Sequence, residues 1–208
     1  MRLGILGGTF DPIHYGHLFV AEEARVRFRL EKVLFVPNAS PPHKKDYRVT
    51  EAHHRFDMAQ IAIRDNPAFE CSPLELQRPG PSYTVDTLAA LHAQMPEAEL
   101  FYITGRDAIA EILTWRRPEE VIRLATFIAA ARPGFDSMEW MAGLPDAYQG
   151  RILLLGSTDL GISSTDIRER IRTGLPARYL TPDEILEYIH RHHLYQDRSG
   201  SEESMERI

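Results

Sequence analysis

The order of apolar runs and amphipathic stretches limits this chain to few architectures. Short apolar runs of strand length recur at residues 2–6, 33–36, 100–103, 127–131 and 152–155. The stretches between them carry apolar residues at three- and four-residue spacing, which is typical of amphipathic helices. Strands that alternate with helices favour right-handed crossovers and parallel pairing. The sequence therefore predicts an α/β, Rossmann-like open sheet, mainly parallel, with helices on both faces and a helical C-terminal part.

Local signals place several of these helices. Two early helices are predicted from apolar side chains that share one face: Leu18, Ala21, Ala24 and Phe28, then Phe56, Ala59 and Ile63. Near the C-terminus, Ser163 with Asp166 and Thr181 with Glu184 read as capping boxes, and Pro182 suits a first helical position. Gly174 should end the helix that Ser163 begins.

Length and net charge indicate how many domains the chain forms and which partners it can bind. The chain has 208 residues, 43% of them hydrophobic, and a net charge of −6. This size fits one domain, predicted over residues 1–196, followed by a polar tail at 197–208 that is predicted to be disordered. Nucleic-acid binding needs a basic face and is not expected. The oligomeric state stays open, with a homo-oligomer as one option.

Cysteine content and hydropathy indicate the compartment. Cys71 is the single cysteine, so an internal disulfide is impossible and a reducing compartment fits. The first residues are too short and glycine-rich for a signal peptide, and no apolar run approaches a membrane span. We expect a cytoplasmic protein without a membrane partner.

A glycine-rich segment at residues 7–17 follows the first strand and leads into a helix. It reads Gly-Gly-Thr-Phe-Asp-Pro-Ile-His-Tyr-Gly-His. Glycines let a ligand approach the backbone, and a helix N-terminus favours phosphate. His14 and His17 could donate hydrogen bonds to phosphate oxygens. The alternatives are a helix cap with a surface histidine, or a zinc pair, for which no third ligand is evident.

A second anion site is indicated at residues 162–168, Ile-Ser-Ser-Thr-Asp-Ile-Arg. Arg168 lies one helical turn after Ser164 and Thr165, so these side chains share a face. Hydroxyls and N–H groups at a helix start, together with an arginine, can grip phosphate. Helix capping alone would also explain the hydroxyls.

Together the two segments resemble the HxGH and Ser/Thr-x-x-Arg signatures of the nucleotidyltransferase superfamily, in the form seen in bacterial nicotinate mononucleotide adenylyltransferases. The resemblance implies that ATP and nicotinate mononucleotide are the substrates. Mg²⁺ bound with ATP is inferred from the triphosphate, and no residue is expected to be a dedicated metal ligand, since no acidic ligand cluster is apparent. It implies catalytic roles for His14, His17 and Arg168. The ATP-binding residues it implies are Gly7, Gly8, Thr9, Phe10, His14, His17, Gly105, Asp107, Arg132, Ile162, Ser163, Ser164, Thr165 and Arg168.

Further segments resemble those that hold the mononucleotide in this family. The implied residues are Asn38, His43, Lys44, Ser82, Tyr83, Thr84, Trp115 and Arg116. Each has a simpler alternative: a solvated basic turn around Lys44, a helix cap by Ser82 or Thr84, or a core position for Trp115. Asp107 could likewise be a helix cap, and Arg132 a surface-turn residue.

One departure and three rival functions remain. Arg116 stands where the family usually has an aromatic residue, and it could supply positive charge to the nicotinate carboxylate. The rivals are another adenylyltransferase of the superfamily, a non-catalytic nucleotide-binding regulator, and an RNA-binding or tRNA-charging fragment.

Overall fold

The structure is a computed structural model, and it describes residues 1–39, 49–131, 139–157 and 160–196. The predicted site residues His43, Lys44 and Arg132 lie outside the described residues. The tail at 197–208 also lies outside them, so the domain boundary predicted at residue 196 stays a prediction.

The described strands form one parallel sheet with the order β3-β2-β1-β4-β5-β6. Their bounds are β1 Arg2–Gly8, β2 Lys32–Pro37, β3 Phe69–Cys71, β4 Glu99–Gly105, β5 Thr126–Ala131 and β6 Ile152–Ser157. This confirms the predicted open sheet and the five strands read from the sequence. β3 was missed because it is a three-residue edge strand with one fully buried side chain, Phe69, too short to show a pattern.

Helices connect the strands and continue beyond the last one. Their bounds are α1 Tyr15–Arg27, α2 Ala52–Ile63, α3 Thr84–Gln94, α4 Arg106–Ala110, α5 Pro118–Leu124, α6 Glu139–Ala142, α7 Asp146–Gln149, α8 Ser164–Arg172 and α9 Asp183–Arg191. A 3-10 turn spans Ile112–Thr114. In the described part of the chain, none of these helices is long and apolar enough to cross a membrane.

Each face of the sheet carries its own apolar core, because successive strand residues point to opposite sides. In β5, Ile128 and Ala130 pack with α1, α2 and α9 side chains, whereas Phe127 and Ala129 pack with α3 and α5 side chains. The sheet is therefore covered on both sides, as predicted, and its strand ends are the natural place for ligands.

The helix caps agree with the sequence in part. Ser163 caps α8, accepting a hydrogen bond from the Asp166 N–H at 3.1 Å, and Gly174 follows that helix with φ +73°. The capping role predicted for Thr181 is wrong: Pro182 is the N-cap of α9. The buried Thr181 hydroxyl instead donates to the Ile13 carbonyl oxygen at 2.7 Å.

Candidate active site

Two adjoining cavities open at the carboxyl ends of β1 and β4. In this strand order, connections from β1 and β4 run in opposite directions, which is the usual ligand position in open α/β sheets. The cavities have volumes of about 600 and 750 Å³. Both are lined by Gly7, Gly8, Thr9 and Thr104. The ends of β1 and β4 therefore form a wall common to both.

The first cavity joins the two predicted phosphate segments. Of the residues implied for ATP, those that line it are Gly7, Gly8, Thr9, Phe10, His14, His17, Gly105, Ile162, Ser163, Ser164 and Thr165. Residues more than 140 positions apart in the chain thus line the same cavity, because α8 follows the sheet and begins beside the end of β1. Phe10 is 1% exposed, so it meets this space from within the core.

The two histidines lie side by side at the start of α1. Their ring centroids are 3.7 Å apart and their planes differ by 26°. The backbone N–H of His14, the N-cap residue, donates to Nδ1 of His17 at 3.2 Å. Because Nδ1 accepts this bond, a neutral His17 ring carries its proton on Nε2 and is a donor there.

Gly16 is required between the two histidines for steric reasons. A Cβ at this position would lie 3.0 Å from Nδ1 and Cε1 of the His14 ring, closer than ordinary packing allows. The glycine thus lets the buried His14 ring fold back against the first turn of α1.

Side chains from the C-terminal part hold the loop that precedes α1. Ser164 Oγ donates to the Pro12 carbonyl at 2.9 Å, and Arg168 Nη1 donates to the Asp11 carbonyl at 2.8 Å. Together with Thr181 on the Ile13 carbonyl, these bonds satisfy three consecutive carbonyl groups of the loop. The position of the histidines is therefore fixed by residues that follow the last strand.

Arg168 and Asp107 do not line the first cavity. Arg168 is half-buried and also donates from Nη2 to Thr165 Oγ1 at 3.3 Å, so it contacts a residue of the cavity wall. Asp107 lies in the first turn of α4, whose N-cap is Gly105. The suggestion that Asp107 caps this helix is therefore wrong.

The second cavity brings together the residues predicted for the mononucleotide. Those that line it are Asn38, Ser82, Tyr83, Thr84, Trp115 and Arg116. The Arg116 guanidinium lies over the Tyr83 ring at 4.6 Å from its centroid, a cation–π contact. The cavity therefore pairs aromatic surface with a positive charge, next to the N-terminus of α3.

Trp115 belongs to both the cavity and the core. Its indole makes edge contacts with Tyr102 and Phe127, at centroid distances of 6.3 and 6.1 Å. It also lines the second cavity. The two interpretations of this tryptophan are thus compatible, because one part of the indole packs and another remains available.

Neither Ser82 nor Thr84 caps α3, so that alternative is wrong. The N-cap is Tyr83, with no side-chain hydrogen bond. The Ser82 hydroxyl instead accepts from the Ala39 N–H at 3.1 Å. This bond ties the start of α3 to the residues that follow β2.

The comparisons with known proteins identify the family. The Cytidylyltransferase-like family model matches residues 5–170. A protein of Desulfitobacterium hafniense named "Probable nicotinate-nucleotide adenylyltransferase" is 50% identical over 94% of this chain and 96% of its own length. One of the same name from Moorella thermoacetica is 51% identical over 95% and 93%. The chain belongs to the nicotinate-nucleotide adenylyltransferase family.

A solved structure supports the fold assigned to this family member. The Plasmodium falciparum nicotinic acid mononucleotide adenylyltransferase complexed with NaAD aligns with a TM-score of 0.76 at 22% identity. The alignment covers 93% of this chain and 97% of that one. At this identity the match establishes the Rossmann-like architecture.

A buried arginine that the sequence analysis missed holds together the backbone segments around this site. Arg55 in α2 is 1% exposed. Its guanidinium donates to the Thr9 carbonyl at 2.7 Å, the Ala39 carbonyl at 3.2 Å and the Thr50 carbonyl at 2.8 Å. Its position on an otherwise apolar helix face, beside Met58 and Ala59, was the available signal.

Three residues that carry no recognisable motif also line the second cavity. Tyr102, Glu75 and Glu111 face it together with the predicted residues. Burial raises the pKa of Tyr102 to about 12, so its phenol stays neutral. Strand and turn positions such as these carry no motif, and only the folded chain shows them.

Proposed function

We propose that this protein joins the adenylyl group of ATP to the phosphate of nicotinate mononucleotide, releasing pyrophosphate and forming nicotinate adenine dinucleotide for NAD biosynthesis. The observation that carries the proposal is the shared wall of the two cavities at Gly7–Thr9. One cavity offers donors for a triphosphate, the other an aromatic surface for a pyridine ring. Two bound substrates would meet where the wall is common.

ATP would occupy the first cavity. Its triphosphate would lie against the N-termini of α1 and α8, where helix dipoles and N–H groups favour phosphate. His14 and His17 would donate to its oxygens, with Ser163, Ser164 and Thr165 opposite them. Gly105 and Asp107 are proposed for the ribose and Arg132 for the adenine.

Arg168 is proposed to act on the same triphosphate. Its guanidinium is bonded to Thr165 Oγ1 and to the Asp11 carbonyl oxygen. It would reach the phosphate from beside Thr165, at the edge of the first cavity. There it would add positive charge while it holds the loop before α1. This keeps it in the catalytic set with His14 and His17.

Nicotinate mononucleotide would occupy the second cavity, with its pyridine ring stacked on Trp115. Its carboxylate would face the N-terminus of α3 at Thr84, with Tyr83 and Ser82 beside it. Arg116 would add the positive charge that an aromatic residue at this position lacks. Asn38, His43 and Lys44 are proposed for the phosphate group, which would then approach Gly8 and Thr9.

The chemistry asks for alignment and charge stabilisation more than for a base. A phosphate oxygen of the mononucleotide is already ionised near neutral pH, so it can attack the α-phosphorus of ATP directly, in line with the departing pyrophosphate. Alignment of two reactants can contribute roughly 7–11 kcal/mol. The histidines and Arg168 would stabilise the charge that develops on the leaving group.

Mg²⁺ is proposed to enter with ATP. The described residues of the first cavity offer imidazoles, hydroxyls and backbone groups, without an acidic side chain. With such a lining, the ion would be coordinated mainly by phosphate oxygens of ATP. Mg²⁺ suits this arrangement because it binds substrate phosphates while it keeps several water ligands. When bound, the ion would neutralise charge on the triphosphate.

The remaining expectations follow from this function. We propose that residues 1–196 act as one catalytic domain, because the cavity walls draw on residues from Leu6 to Thr165. The partners would be small molecules, without nucleic acid or membrane, and a homo-oligomer stays an open option. The single free thiol of Cys71 is compatible with the cytoplasm.

A paired assay tests the function. The protein is incubated with ATP, Mg²⁺ and either nicotinate or nicotinamide mononucleotide, and pyrophosphate and the dinucleotide mass are followed. We expect faster turnover with the nicotinate form. Pyrophosphate release only with another acceptor, such as phosphopantetheine, would point to a different adenylyltransferase. No release with any acceptor would favour a binding protein.

A further inference from the structure

A buried glutamate lines the second cavity, and the reaction described above gives it no role. Glu75 lies in the turn after β3 and is 7% exposed. It lines the cavity together with Tyr83, Thr84 and Trp115. An ionisable side chain buried at the wall of a ligand cavity is a candidate for ligand contact.

The two carboxylate oxygens of Glu75 have different surroundings. Oε1 accepts from the Thr87 hydroxyl at 2.5 Å, and Thr87 Oγ1 in turn accepts from Arg78 Nη2 at 3.2 Å. Oε2 has under 1 Å² of accessible surface and no hydrogen-bond partner within the described residues. The Arg78 guanidinium is thus linked to the carboxylate only through the Thr87 hydroxyl.

A charge buried in this way is costly unless an opposite charge nearby compensates it. Burying a polar group without a partner opposes folding, and burying a charge opposes it more strongly. The N-ribosylated pyridine ring of the mononucleotide is a cation. The negative carboxylate of nicotinate needs the opposite environment, which Arg116 and the positive end of α3 supply. The negative charge of Glu75 therefore complements the pyridinium ring and not the carboxylate attached to it.

We propose that Glu75 is a substrate-binding residue whose carboxylate is the counter-charge of the pyridinium ring in the second cavity. The inference rests on the proposed function, since it takes the mononucleotide as the occupant. It also assigns a selectivity: the site prefers the oxidised, cationic ring over the neutral dihydropyridine form, although the two have nearly the same size.

The alternative is that Glu75 only holds the start of α3 through Thr87. Glu75→Gln separates the two roles, because its amide oxygen still accepts from the Thr87 hydroxyl while the charge is removed. The measurement is the Kd of nicotinate mononucleotide and of its 1,4-dihydro form, by titration calorimetry with wild type and E75Q. The KM for ATP is determined in parallel.

We expect E75Q to weaken binding of the oxidised mononucleotide about tenfold, the order expected for one partly screened charge pair. Binding of the dihydro form should change less than about twofold, and the KM for ATP should stay within about twofold. An equal loss for both ring forms, or no loss for either, would overturn the proposal.

Thr87→Val provides the matched control. It removes the hydrogen bond to Glu75 and leaves the carboxylate, so thermal stability should fall while the preference for the oxidised ring persists. If T87V abolished that preference as fully as E75Q does, Glu75 would be a packing residue and the proposal would fail. Should E75Q unfold, Glu75→Asp would take its place, with a retained preference for the oxidised ring as the expected result.

The outcomes also separate this inference from the proposed function. Wild type that forms no dinucleotide from nicotinate mononucleotide contradicts the function itself. Wild type that forms it, with E75Q insensitive to the charge of the ring, contradicts only the role of Glu75.

Discussion

The phenolic oxygen of Tyr195 lies 2.7 Å from Oδ1 of Asp11, a residue 184 positions earlier. Asp11 is 1% exposed, and its Oδ2 accepts from the Thr50 N–H at 3.2 Å. Burial beside this carboxylate raises the pKa of Tyr195, so the phenol stays a donor. The residues just after α9 therefore stabilise the loop that carries His14 and His17.

Tyr195→Phe should lower the free energy of unfolding by about 1–3 kcal/mol, because a buried carboxylate oxygen loses its donor. Urea denaturation of both proteins measures the difference. Tyr179→Phe is the matched control: Tyr179 is 77% exposed, and its loss of a hydroxyl should be nearly neutral. Similar losses in both variants would show that the Asp11 contact contributes little.

His17→Ala should lower kcat by about two to three orders of magnitude while the KM for nicotinate mononucleotide changes little. In the proposed complex, the donor at Nε2 would point to the charge that develops on the triphosphate and would not touch the acceptor. Steady-state kinetics with both substrates measure this. His92→Ala, an exposed position on α3, should retain the wild-type kcat; an unchanged kcat in H17A would remove the catalytic role.

Trp115→Ala should raise the KM for the pyridine nucleotide about tenfold, since it removes the aromatic surface on which the pyridine ring is proposed to stack. Trp115→Phe keeps an aromatic face and should recover much of the affinity. The initial rate as a function of each substrate distinguishes the two cavities. A rise confined to the KM for ATP would contradict the position proposed for Trp115.

Acid should destabilise the contact between α2 and α9 through His54. Burial, followed by the nearby His53 and His192, lowers the pKa of His54 in the folded state. As the pH falls below about 6.5, the unfolded chain binds this proton first, so stability is lost between that pH and the lower folded pKa. The Tyr188 hydroxyl, which donates to Asp57 at 2.9 Å, is 2.9 Å from Nδ1 of the same ring.

The measurement is urea denaturation at pH 7.5 and 5.5. His54→Gln should lose less stability than wild type over this interval, because its side chain cannot take up the proton. His92→Gln, at an exposed position, should show the wild-type dependence. An H54Q profile parallel to that of wild type would contradict the assignment.

The sequence predicted the sheet because buried parallel strands are continuous apolar runs, as at Ile5 or Phe127. It also indicated which segments line the cavities, since the glycines and histidines before α1 and the hydroxyls at the start of α8 resemble two family signatures. It could not indicate Glu75, whose hydroxyl partner comes close only after folding. Arg55 stands out as a charged residue on the apolar face of α2, but the backbone carbonyls that it binds could not be identified before folding.

Hydroxyl groups were the main source of error. Ser82 and Thr181 stand before helices, where capping is the ordinary expectation, yet both bond to distant backbone groups. A hydroxyl can satisfy either its own helix or another segment, and local sequence does not distinguish these outcomes. Ser163, with no competing partner among its described contacts, behaves as the local pattern predicts.

Residues 164–195 hold the loop before α1 by hydrogen bonds. These contacts have a consequence for synthesis of the protein on the ribosome. Every described strand precedes residue 158, so a nascent chain could assemble its sheet while the last helices are still in the exit tunnel. The histidine loop would gain its hydroxyl and guanidinium supports only after those helices emerge. Competence to bind nucleotide should therefore arise only after these helices have left the tunnel and packed against the loop.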